Sequence, residues 1–491
     1  MRFLLLPVGL AVCPALALAQ QAVPATLSLA DALALAREHS PAYRQAVNNR
    51  SPAAWGVRNA YSSLVVPAVT ASGGIGYAGP GQQNFLTASF SQGVATWSSS
   101  YQLGLSWTLS GATLSQPGLR RAELAGAEAD IASAERALVA AVTQQYLTVL
   151  AARDNAEVAR KQLEANEQAL TLAQARYDVG RSSLIDVRQA QVARGQAEVA
   201  LLQAQTAVRV EKLRLFQQMG VSAPVDLDRV QLTDSFAVRE PPWQLADLLA
   251  MAEAENPSLR ALRARERAAA WSVRSAASSY GPSLSLSAAW AGFTQKLADL
   301  NPTLAAARAE ADANVASCQY ANSAWLNPGQ PPLDCTLFAF TAAQEQAIRD
   351  RNNAYPFHFT PEPFQARLTI TLPLWANFQR PLQVSQAKAQ RENLAESVRA
   401  RGLEVQTEVT QAYLNVVTAY RAIAIQDTNR TAGREQLQLA TERYRVGSGT
   451  FVDLLQAQVQ ALRAETDYVN AVYDYQKAIA ALEAAVGRPL R

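Results

Sequence analysis

The sequence predicts a mixed α and β chain, mostly α, that lays out one structural plan twice. Three observations predict it. Two stretches without proline, between Pro117 and Pro224 and between Pro381 and Pro489, are rich in Ala, Gln, Glu, Leu and Arg, the strong helix formers. Four shorter segments alternate apolar and polar residues with the period of a strand. And Ala175-Arg176-Tyr177-Asp178-Val179-Gly180, followed by Asp186-Val187 and Gln189-Ala190-Gln191-Val192, recurs as Glu442-Arg443-Tyr444-Arg445-Val446-Gly447, Asp453-Leu454 and Gln456-Ala457-Gln458-Val459.

The recurrence is long. An offset of 267 residues pairs Arg176 with Arg443, Tyr146 with Tyr413 and Gly220 with Gly487, so about 75 residues run in register, too many for chance. An earlier block, Leu29-Ala30-Asp31 with Pro41 and Trp55, returns as Leu245-Ala246-Asp247 with Pro257 and Trp271 at an offset of 216. The second copy therefore holds 51 extra residues. They fall near 294–363, a proline-rich stretch read as a long loop with room for one short helix. The division is residues 20–225 for the first repeat and 226–491 for the second.

Each proline-free stretch breaks once, near 178–183 and 445–450, where Gly180 and Gly447 suit a helix C-terminus. Ser183-x-x-Asp186 and Thr450-x-x-Asp453 follow at once, the form of a capping box. Each repeat thus carries a helical hairpin. Its first arm runs from near Leu119 to Tyr177, about 60 residues or about 90 Å at 1.5 Å per residue, and its return arm from Leu184 to Met219 is a little over half as long. Preceding helices, near Pro41–Leu64 and Pro257–Ser279, supply the missing length.

The four alternating segments centre on Val69 to Tyr77, Leu103 to Leu109, Leu284 to Trp290 and Leu368 to Leu374. Each spans about 9 to 11 residues, the length of a tilted membrane strand. Four strands cannot close a barrel, since about 8 is the smallest that encloses an interior, and an open edge is intolerable in lipid. The strands are therefore shared between copies: two chains give a filled interior, three give 12 strands and room for a pore. The helices are rich in small residues such as Ala152, Ala156, Ala159 and Ala169 and in charges that need water, as a hollow solvated tube requires and a solid core does not.

At the N-terminus, Arg2, an apolar run from Phe3 to Leu18 and Ala17-Leu18-Ala19 form a secretory signal peptide, residues 1–19. Cys13 raises lipidation as a rival reading, weakened by Val12 before it and Pro14 after it. The formal charge of +3, from 44 basic and 41 acidic residues spread along the chain, gives no footprint for nucleic acid. His39 and His358 have no metal-ligand spacing around them, and Gly73-Gly74-Ile75-Gly76 lies in a strand, not before a helix. No cofactor, metal or catalytic constellation emerges. Cys318 and Cys335 both lie in the insertion of an exported chain, where the compartment permits a disulfide; two free thiols are the alternative.

The doubled Arg-Tyr-x-Val-Gly with its following aspartate and Gln-Ala-Gln, the doubled Leu-Ala-Asp and the strand hairpin before each long helix resemble TolC-type outer-membrane factors along essentially the whole mature chain. The resemblance implies a homotrimer in which long helical hairpins form a periplasmic α-barrel joined to a 12-stranded β-barrel in outer-membrane lipid. It also implies a passive exit duct for a tripartite efflux pump or type I secretion system, not an enzyme, with a periplasmic adaptor and an inner-membrane transporter as partners. Carried over by position, Val179, Gly180, Val446 and Gly447, flanked by Tyr177 and Tyr444, become adaptor contacts; a helix-ending glycine and a turn-packing tyrosine is the plainer alternative. Asp453 becomes part of a periplasmic constriction, its pKa raised by like charges in a ring. One turn later, where some members are acidic, stands Gln456, which weakens an electrostatic gate. Helix capping, by Ser183 with Asp186 and by Thr450 with Asp453, is the plainer alternative for both aspartates. A periplasmic coiled-coil adaptor and a simple porin are the alternative functions; the first leaves the strands unexplained, the second the helices.

Overall fold

The computed structural model describes residues 26–85, 88–325 and 331–490; the expected signal peptide, with Cys13, lies outside them. In chain order the elements are β1 (Thr26–Leu27), α1 (Leu29–His39), α2 (Pro41–Asn48), α3 (Arg50–Val65), β2 (Ala68–Ala78), β3 (Gly81–Phe85), β4 (Ala88–Gln92), β5 (Thr96–Leu109), α4 (Gly111–Asp178) and α5 (Leu184–Met219). There follow β6 (Gln231–Leu232), α6 (Leu245–Glu255), α7 (Pro257–Ala277), β7 (Ser283–Leu297), α8 (Asn301–Trp325), α9 (Ala342–Asn352), β8 (Thr360–Pro361), β9 (Gln365–Thr371), α10 (Gln379–Val446) and α11 (Phe451–Val486). Two compact units result, and they are not the repeats: one gathers 26–56, 119–270 and 388–490, the other 57–118 and 271–387. Each takes material from both copies.

The first unit is helical, and its core is doubled as the sequence is. One cluster buries Leu27, Ala32, Ala36, Val142, Tyr146, Leu215 and Met219 between α1, α4 and α5. Its counterpart buries Leu248, Ala252, Val409, Tyr475, Leu482 and Val486 between α6, α10 and α11. Positions 142 and 409, 215 and 482, 219 and 486 are the same repeat position, so the buried face is set by the repeated periodicity. The copies differ at α1 and α6. Ser28 caps α1 with its hydroxyl accepting from the Asp31 N–H at 3.1 Å, whereas Gln244 makes no side-chain cap on α6. Tyr146 ties the N-terminal strand to the inter-repeat connector, its hydroxyl lying 2.9 Å from the Leu27 carbonyl and 2.8 Å from the Asp234 carboxylate. Burial and the Asp234 contact push that phenol up.

Several expected boundaries shift. The helix α4 begins at Gly111, not near Leu119, and passes through Pro117. Ser110 and Thr113 start it early: the Ser110 N–H donates to the Thr113 hydroxyl at 2.7 Å and the Thr113 N–H to the Ser110 hydroxyl at 3.2 Å. Pro381 sits in the first turn of α10, where no N–H is required. The helix expected over Pro41–Leu64 divides at Asn49 into α2 and α3.

The second unit holds an antiparallel sheet in the order β2-β5-β7-β9, with β8 extending the β9 edge along β7. The strands β5 and β7 have 14 and 15 residues and β9 has 7, against an expected 9 to 11; β9 stops before Pro373, which lacks the N–H to continue the ladder. A further hairpin, β3–β4, fills the connection between β2 and β5. The insertion near 294–363 is mostly helical, not a loop. Pro302 falls in the first turn of α8, and the 22 residues from Thr303 to Ala324 carry no proline. A disulfide joins Cys318 in α8 to Cys335, and Asn322 fastens the same clip by donating to the Leu333 carbonyl and accepting from its N–H, both at 2.9 Å.

Candidate functional site

The sheet is two-sided, and its register shows how. Side chains alternate between faces, so partners across the strands share a face. On one face Ile370, Leu284 and Leu109 align, then Leu368, Leu286 and Trp107, then Ala366, Ala288, Leu105 and Val69, then Trp290, Leu103 and Ala71. On the other, Thr369, Ser285 and Thr108 align, then Arg367, Ser287, Ser106 and Ala68, then Gln365, Ala289, Gly104 and Thr70. One face suits hydrocarbon and the other water.

Aromatic rings populate the apolar face. Tyr77 and Trp97 pack at 4.7 Å between centroids, Tyr101 against Phe359 at 4.9 Å and Trp290 against Phe364 at 4.5 Å. Between Trp107 and Trp97 the strand rises about 34 Å at about 3.4 Å per residue. At a tilt of about 45° that leaves ~24 Å, close to the height of the apolar band of membrane β-barrels, with Ser99, Thr294 and Lys296 on the same face over its last two rows. Among the described residues, β2 and β9 each pair along one side only. No helix among them is long and apolar enough to cross a membrane, and no cluster of His, Cys, Asp or Glu among them has the make-up of a metal site.

The helical unit carries the two hairpin tips. Both end in the same backbone device: the Gly180 N–H reaches the Tyr177 carbonyl at 2.9 Å and the Arg181 N–H the Arg176 carbonyl at 2.8 Å, while Gly447 and Ser448 do the same to Tyr444 and Arg443. The glycines lie at φ of 71° and 88°, where a Cβ is strained. Both return helices open with a full capping box, Ser183 with Asp186 and Thr450 with Asp453. For Asp453, hydrogen bonds from the Thr450 hydroxyl at 2.8 Å and N–H at 3.1 Å hold the carboxyl below its ordinary range. The upward shift expected of a ring of like charges is thus opposed by the cap within each chain. Asp453, Gln456 and Gln460 form one exposed polar stripe on α11, while Leu454, Ala457 and Ala461 on the adjoining face are buried.

The tips part company at the tyrosines. Tyr444 is 2% exposed, packed with Ala169, Ala173, Val187, Ala190, Phe451 and Leu454, and the Arg176 guanidinium lies over its ring at 4.6 Å. Burial, with the charge of Asp186, pushes its phenol up. Its place among adaptor contacts is therefore corrected: it is core between hairpins, because the first repeat supplies a small-residue pocket at its height. Tyr177 is 41% exposed and Val179 and Val446 are 69% and 70% exposed. A polar link that the sequence did not signal joins the hairpins farther along, where the Tyr473 hydroxyl donates to Asp154 at 2.5 Å and Asn155 to Asn470 at 2.9 Å.

Comparison with known proteins agrees with this geometry. Residues 27–221 and 293–488 match the profile of the outer membrane efflux protein family. The chain is 30% identical over 143 residues to the outer membrane efflux protein BepC of Brucella suis, and 31% identical over 179 residues to the toluene efflux pump outer membrane protein TtgF of Pseudomonas putida. These matches cover 29% and 35% of this chain, and only about a third of each relative, 30% and 36%. The fold is similar to the crystal structure of the outer membrane protein VceC of Vibrio cholerae, with a TM-score of 0.68 at 17% identity, covering 94% of this chain and 97% of that one. With most of its described length matched in two segments, one in each repeat, the chain belongs to the outer membrane efflux protein family.

Proposed function

We propose that the protein is a passive exit duct of the outer membrane: three copies share a 12-stranded barrel, and their helical hairpins line a periplasmic passage fed by an adaptor and an inner-membrane transporter. The two-sided sheet with bare edges carries this reading. One chain cannot satisfy its edge strands in lipid, and three copies give a closed barrel wide enough for a water-filled interior lined by the Ser, Thr and Gln face. No chemical step is involved; the inner-membrane partner supplies the energy. At the helical end, Asp453 and Gln456 line the narrowest point, and the exposed Val179 and Val446, presented by the turns of Gly180 and Gly447, are the surface offered to the adaptor. The name of TtgF makes toluene the first substrate to try in an export assay.

The test is the native mass and conductance of the protein extracted from outer membranes in detergent. A complex of three chains that conducts ions in a planar bilayer is expected. A single chain released without detergent would sink the duct and favour a periplasmic helical scaffold.

A further inference from the structure

The duplication supplies its own template for contact between copies. Within one chain, Arg176 of the first tip reaches the second: its guanidinium covers Tyr444, and its Nη2 lies 3.4 Å from where a Cβ on Gly447 would stand. Every element of this contact has a counterpart at the same repeat position. Arg443 matches Arg176, Tyr177 matches Tyr444 and Gly180 matches Gly447. Yet the counterpart is empty: Tyr177 is half-exposed, Arg443 is exposed, and a Cβ on Gly180 would meet nothing within 4 Å.

We propose that Arg443 of one copy seats over Tyr177 and against Gly180 of the next copy, repeating between chains the contact that Arg176 makes within one. This rests on the multi-copy duct proposed above and names a pair of tip residues that closes its ring. The occupant is a second copy and not an adaptor because the matching cation is present on this chain, one residue before its tyrosine as in the intrachain contact. Charge favours it too. Beside Tyr177 stands Asp178, where the second tip has Arg445, so the first tip offers the arriving guanidinium a carboxylate at a position where the second tip carries a cation. A guanidinium over an aromatic face is attracted by the ring quadrupole, and the bare glycine lets it approach the backbone.

The test uses the full-length chain in outer membranes with Tyr177→Cys and Arg443→Cys together and a short bifunctional maleimide, which leaves the Cys318–Cys335 disulfide untouched. Linked species of two and three chains are expected on a denaturing gel, absent from either single variant. Glu167→Cys with Arg194→Cys, an exposed ion pair within the first hairpin, is the intrachain control and links without raising the mass. A native trimer whose Tyr177→Cys, Arg443→Cys variant links at no greater mass than one chain overturns the proposal while leaving the duct intact, as does linkage of Tyr177→Cys to a different protein in place of a second copy. Absence of any wild-type oligomer overturns the duct itself. As a second measurement, Asp178→Arg is expected to loosen the trimer in mild detergent and Arg443→Glu to restore it; failure of restoration counts against the contact.

Discussion

The first and second hairpin tips share one motif and differ in what surrounds it. Their turns, caps and glycines superimpose in chemistry, yet Tyr444 is buried under Arg176 while Tyr177 stands in the open. The lesson is that a duplicated motif fixes the local backbone, through capping and left-handed glycine, and leaves the side chain's work to whichever neighbour arrives. Tyr444 has that neighbour within its own chain.

The sharpest way to break this comparison is to truncate both tyrosines. Tyr444→Ala is expected to cost about 3 to 5 kcal/mol, as loss of a buried aromatic does, and Tyr177→Ala less than about 1 kcal/mol in a dissociated single chain. Thermal unfolding followed by helical circular dichroism checks both; equal losses would erase the distinction. Next come the glycines. Gly180→Ala and Gly447→Ala each place a Cβ at positive φ, for about 1 to 2 kcal/mol, and the two are expected to cost alike, since a Cβ on Gly447 would meet only the end of the Arg176 side chain at van der Waals distance. The same melts test the equality.

The caps should behave alike. Ser183→Ala and Thr450→Ala are each expected to lose about 1 kcal/mol at neutral pH. Acid separates the components of the second cap. The folded Asp453 carboxyl lies below its ordinary value of 3.8, so its contribution is complete above that value and is lost as pH falls through the lower folded one. The penalty of Thr450→Ala should therefore shrink on moving from pH 7 to below pH 3, read from the difference in melting temperature at each pH. The smallest effect belongs to the outermost residues: Val179→Asp and Val446→Asp are both expected to stay within about 0.5 kcal/mol of the parent. Their consequence, on the proposed function, is loss of export with the trimer intact, measured by the export assay on the producing cells.

Much of this was legible in the sequence because it is local. Gly180, Gly447, Ser183 and Thr450 announce their turns and caps within six residues, and alternation at Leu284, Leu286 and Ala288 announces a strand. What was not legible depends on partners far along the chain. Thr96 to Tyr101 contains three consecutive serines and shows no alternation; it is a strand because it pairs in register with Gly292 to Leu297. Pro117 reads as a helix boundary, and only the mutual cap of Ser110 and Thr113 moves the start ahead of it. The burial of Tyr444 depends on Ala169, Ala173 and Val187, which belong to the other repeat. The insertion has the proline content of a loop, yet Pro302 falls in the first turn of α8 and the 22 residues after it carry none.

The bare edges of β2 and β9 have a genetic consequence. On the three-copy reading, each chain's membrane strands are completed only by its neighbours, so entering the bilayer is a collective event and a lone copy has no stable resting place there. A copy that assembles normally but fails at its tip would spoil every complex it joins. Defects at Val446 or Asp453 should then act dominantly over a wild-type gene, while Tyr444→Ala, which weakens the fold itself, should be recessive because less of the damaged chain reaches the ring.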